Sequence, residues 1–74
     1  MKAYECVRCA MWEHLNGSSI RESRWMREAF DSFISERKEI MRRPEKATVD
    51  ELEDLTNVRD ILAGYYGEEN LTRM

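Results

Sequence analysis

The 74-residue chain predicts an all-α fold: an antiparallel helical hairpin with an N-terminal helix or arm packed on it as a small bundle. Three observations carry this reading. From Trp25 onward apolar residues recur every three or four positions, the period of one side of an α-helix. A second helix start is spelled out at Ala47-Thr48-Val49-Asp50-Glu51-Leu52. Between the two patterns stands Pro44, and Gly67 follows the second, so the helix-breaking residues fall between elements rather than inside them.

At the N-terminus, Tyr4, Val7, Met11 and Leu15 fall at i, i+3, i+7 and i+11 and trace a helical stripe that Asn16-Gly17 ends. Asn-Gly is also a hairpin turn signal, so a short strand or irregular arm over residues 1–19 is the other reading. The first long helix is expected over about 20–42. Its start is marked by Ser19-Ile20-Arg21-Glu22, which fits a capping box: the serine oxygen accepts an early amide and the glutamate reaches back. Its apolar side is Trp25, Met26, Ala29, Phe30, Phe33, Ile34, Ile40 and Met41. Pro44 ends it, because proline disfavours helical geometry in the residue before it.

The second long helix is expected over 49–66. Thr48 and Glu51 form another capping box, Ala47 and Leu52 stand where a hydrophobic staple would pack, and Asp50, Glu51, Glu53 and Asp54 set negative charge near the positive helix end. Leu52, Leu55, Val58, Leu62, Tyr65 and Tyr66 supply its stripe, with Ile61 at the edge. A connection of residues 43–47 is short enough to make the two helices antiparallel neighbours. The chain thus reads as one domain: an arm or helix over 1–19, a hairpin over 20–67, and a frayed tail over 68–74, where no pattern persists.

Composition restricts function. A core of this size supplies only about 3–5 kcal/mol of net stability. With 42% hydrophobic and 36% charged residues the chain is folded rather than a disordered tail, and no apolar run approaches a membrane span or signal peptide, so a cytoplasmic location is expected. Residues 1–46 carry ten Lys/Arg against eight Asp/Glu, whereas residues 47–74 carry two against seven. So modest a positive end argues against direct specific nucleic-acid binding and suits a protein partner with a complementary patch.

Three constellations could carry chemistry or recognition. Cys6-x2-Cys9-x4-His14 resembles the first three ligands of the short retroviral-type zinc knuckle, although Ser19 stands where that family has its fourth ligand and Ala10 where it has a glycine. On the helical reading the two cysteines are small packing residues instead, and no metal is bound. Thr56-x3-Asp60-x-Leu62-x3-Tyr66 is similar to the signature of the two-helix phosphatases that act on aspartyl phosphate in sporulation response regulators. That resemblance implies Asp60 facing a partner's phosphoryl site and Thr56 where the family has serine. The third constellation is Arg21, Arg24 and Arg27, bordered by Trp12 and Trp25. Cations disfavour the positive end of a helix by a few tenths of a kcal/mol each, so either Arg24–Glu28 and Arg27–Asp31 pairs offset them or a partner does.

With no P-loop, dinucleotide fingerprint or placed nucleophile, a noncatalytic binding protein without cofactor is the expectation, and Trp12, Arg21, Arg24 and Arg27 are its interface candidates. In size, charge polarity and architecture the chain resembles the small phage-encoded inhibitors of host RNA polymerase. The resemblance implies steric action on a polymerase subunit in the host cytoplasm. A homodimer is another way to cover an exposed stripe of the hairpin.

Overall fold

The computed structural model describes residues 1–72 and is an all-α bundle. Its elements are α1 (Ala3–Leu15), α2 (Ser19–Arg42), a 3-10 turn (Pro44–Lys46), α3 (Val49–Tyr66) and a short α4 (Glu68–Thr72). Residues 1–19 therefore form a helix and its turn, not a strand or arm.

The contacts fix the topology. The Ala3 amide donates to a Glu36 carboxylate oxygen at 2.9 Å while His14 meets Glu22 at 3.1 Å, so α1 and α2 run antiparallel. Phe30 of α2 packs edge-on against Tyr66 of α3 with ring centroids 5.4 Å apart, and Ile40 shares a cleft with Leu55, so α2 and α3 are antiparallel too. The bundle is up-down-up, with α1 and α3 parallel.

The most extensive interface is α1 on α2, not the α2–α3 hairpin. The reason lies in side-chain size. Ala3, Cys6, Val7 and Ala10 form the buried face of α1, opposite Met26, Ala29 and Phe33 of α2. Small residues let the two helix axes approach closely, since interaxial distance follows the side chains at the contact. Val58 and Leu62 of α3 complete the core. The Tyr4–Val7–Met11–Leu15 stripe is thus not the inner face: only Val7 is buried, and Met11 and Leu15 remain 56% and 81% exposed. Similarly, Met41 at the end of α2 is 70% exposed rather than part of the core.

Helix ends follow the sequence in part. Thr48 Oγ1 accepts from the Glu51 amide at 3.1 Å, the serine/threonine half of a capping box, and Gly67 closes α3 at φ +97°, a conformation that disfavours any side chain. Gly17 likewise turns the chain between α1 and α2 at φ +76°. The Ser19–Glu22 box does not form. Ser18 is the N-cap, without a side-chain bond to the helix; Ser19 lies inside the helix, and the Glu22 carboxylate meets His14 rather than reaching back. At the start of α1, where Lys2 offers no acceptor, carboxylates substitute: Glu5 accepts from the Lys2 amide and Glu36 from the Ala3 amide.

The expected frayed tail is also corrected. Residues 68–72 are helical, and Leu71 is only 6% exposed against the core. Arg59 reaches from α3 to Glu68, and Asn70 Nδ2 donates to the Tyr66 carbonyl, so the end of α3 holds α4 in place. Residues 73 and 74 lie outside the described residues.

Candidate functional site: the outer surface at the α1–α2 turn

The antiparallel register sets what lies level with what. Starting from the His14–Glu22 pair, each step back along α1 is a step forward along α2, which brings Trp12 level with about residue 24. At 100° per residue, Trp12 lies about 170° around α1 from the centre of the buried Ala3, Cys6, Val7 and Ala10 face and projects outward from the bundle, while half-buried Cys9 and Glu13 form the flank that borders α2. Arg21 and Arg24 are about 60° apart on α2: Arg21 lies toward α1, and Arg24, about 170° from the centre of the buried Met26, Ala29 and Phe33 face, projects outward. Trp12, Arg21 and Arg24 therefore share a level on the outer surface of the bundle near the α1–α2 turn, with half-buried Trp25 packed against the core.

Arg27 does not join them. It lies about 120° around α2 from Arg21, and its charge acts instead on Tyr66 at the α2–α3 side. There burial, then the neighbouring Tyr65, push the Tyr66 phenol above its ordinary value of 10.0, while Arg27 opposes the shift.

The two intrahelical pairs expected to neutralise the arginines are not formed. Among the described residues Glu28 and Asp31 make no ion pair, and neither do Arg21, Arg24 or Arg27; on α2 the like-spaced pair that does form is Arg42 with Glu39 at 2.8 Å. Trp12 is 66% exposed, and among the described residues its ring takes part in no aromatic or cation–π contact. Cationic and aromatic side chains thus lie at the same end of the surface without ion-pair or ring partners among the described residues.

The zinc-knuckle residues are drawn apart. One helix carries all three, so Cys6 and His14 are separated by eight residues, or about 12 Å along its axis, whereas a zinc ion holds its ligands at about 2.0–2.3 Å. Cys6 is buried in the core, where burial first of all raises its thiol above the ordinary 9.0 and a Ser32 hydroxyl partly offsets this. His14 Nδ1 points to Glu22, and no cluster of three metal-ligating side chains occurs among the described residues. On α3, Thr56 and Asp60 share the solvent face: Thr56 Oγ1 donates to the Leu52 carbonyl at 2.9 Å, and Asp60 lies 3.5 Å from its neighbour Arg59. Leu62 and Tyr66, the apolar part of that signature, serve the bundle core.

A second surface was not legible in the sequence. Met11 and Leu15 of α1 meet Ile61 and Tyr65 of α3 around an open apolar groove, rimmed by His14 and Glu22. Its α1 side is the stripe that periodicity assigned to the core; only the size of Ala3, Cys6 and Ala10 hints that another face is inward.

No family model, curated protein or solved structure matches this chain. Among the described residues no helix is long and apolar enough to cross a membrane.

Proposed function

We propose that the chain is a noncatalytic protein-binding regulator that docks through the outer surface at the α1–α2 turn onto an acidic protein surface. The observation that supports this is the isolation of Arg21 and Arg24. They sit in the first two turns of α2, where the helix macrodipole disfavours cations, and no carboxylate among the described residues pairs with them. An acidic partner would supply the missing charge. Exposed Trp12 at the same level adds the large aromatic surface that, with arginine, most often anchors an interface.

Size, charge and helical architecture favour steric interference with a bacterial RNA polymerase subunit as the use of this face, with the chain acting in a host cytoplasm as a phage-encoded inhibitor. Such an inhibitor acts by occupying a surface, with no turnover. Two measurements test the reading. Immobilised chain is expected to retain a polymerase subunit from bacterial lysate, identified by mass spectrometry, and to lower single-round transcription by purified polymerase in proportion to occupancy. Retention of other proteins with transcription untouched would remove the polymerase assignment; retention of no protein would remove the binding function itself.

A further inference from the structure

We infer that the α1–α3 face pairs with the same face of a second copy of this chain, α1 of each lying on α3 of the other. The face is apolar at its centre. Met11, Leu15, Ile61 and Tyr65 are 56%, 81%, 39% and 42% exposed, a contiguous patch formed by two helices rather than scattered single residues. On α1 the exposed apolar residues Tyr4, Met11 and Leu15 repeat at i, i+7 and i+11, the stripe of a helix that packs on another helix. Inside the bundle that stripe has no helix to pack on, because α1 already buries Ala3, Cys6, Val7 and Ala10.

Charge selects the occupant and the arrangement. Beside the α1 stripe stands Arg8; on the α1-facing flank of α3 stand Asp50 and Asp54, and none of the three has an ion-pair partner among the described residues. The level of each follows from the parallel α1 and α3, in which Met11 and Leu15 meet Ile61 and Tyr65 while Tyr4 meets the Asp54–Leu55 level. Arg8 is therefore level with the stretch between Asp54 and Ile61. A two-fold axis parallel to the helices puts α1 over the other copy's α3 at equal height. Met11 and Leu15 then cover Ile61 and Tyr65, and Arg8 comes within one helical turn of the second copy's Asp54. Laying α1 on α1 instead would bring like charges together.

Sedimentation equilibrium of the chain over micromolar to near-millimolar concentrations tests this directly. The expected mass is twice the 8.9 kDa of one chain at the upper end. Leu15→Lys should give a monomer of unchanged helicity, and Arg8→Glu and Asp54→Arg should each weaken association about tenfold, with the double exchange restoring it. A single 8.9 kDa species at every concentration overturns the proposal. So does a dimer indifferent to Leu15→Lys, which would use another face. Failure of the double exchange to restore association overturns the α1-on-α3 arrangement.

Discussion

Leu62→Ala is the perturbation whose consequence is most sharply defined. Leu62 is 0% exposed, on the inner face of α3 within the core cluster that joins all four helices. Alanine there removes three carbons, worth about 2.4 kcal/mol at roughly 0.8 kcal/mol per buried methylene. A residual cavity adds to this, since the surrounding helices collapse only in part, and the total comes to about 3 kcal/mol. Against a net stability of about 3–5 kcal/mol for a core of this size, that is most of what holds the fold. Urea unfolding followed by far-ultraviolet circular dichroism should show a midpoint shifted far toward water with the slope unchanged, and Tm should fall by roughly 12–24 °C. Met41→Ala is the control: it also truncates a large apolar side chain, but at a position 70% exposed, and should change stability by no more than about 0.5 kcal/mol. A loss below about 1 kcal/mol for Leu62→Ala, or equal losses for the two variants, would refute this assignment of the core.

Three further outcomes follow from local contacts. Thr48→Ala deletes the one side-chain N-cap bond of α3 and should cost about 1 kcal/mol in thermal unfolding, with Thr48→Ser restoring most of it. In the native chain a thiol reagent should modify half-buried Cys9 first and reach Cys6, 1% exposed, only at the rate of unfolding; equal rates would contradict the helical packing of α1. The folded state holds Cys6 and Tyr66 protonated above their ordinary 9.0 and 10.0, so it binds more protons than the unfolded state there. Stability should be level below pH 9 and fall as pH rises through and beyond these values; a rise in alkaline solution would show the sign to be wrong.

How much was legible in advance varies with the physical signal. The two long helices were, because their inner faces include large residues such as Phe33 and Leu62, and because Thr48, Pro44 and Gly67 mark their ends chemically. The inner face of α1 was not. Periodicity weighs large apolar residues, and in α1 the large ones, Tyr4, Met11 and Leu15, lie outside, while alanine and cysteine make the close contact with α2. Ser19–Glu22 has the spacing of a capping box, but spacing cannot show that His14, brought back by the Gly17 turn, takes the carboxylate first. The tail is too short for a periodic pattern; Leu71 is buried because Gly67 redirects the chain and Arg59 holds Glu68. For the candidate site, the exposure of Trp12 was readable from its place off the stripe. Its alignment with Arg21 and Arg24 depends on the α1–α2 register, which exists only in the fold.

Arg27 is the discriminating residue, since it shares the charge and the helix of Arg21 and Arg24 but lies farther from the α1–α2 turn and near Tyr66. The decisive measurement is the affinity of the captured partner for the chain and for Trp12→Ala, Arg24→Ala and Arg27→Ala, each checked for unchanged helicity. Trp12→Ala and Arg24→Ala should each weaken binding at least tenfold, about 1.4 kcal/mol, while Arg27→Ala binds as the unaltered chain does. Equal losses at Arg24 and Arg27, or full affinity without Trp12, would contradict docking through the outer surface at the α1–α2 turn.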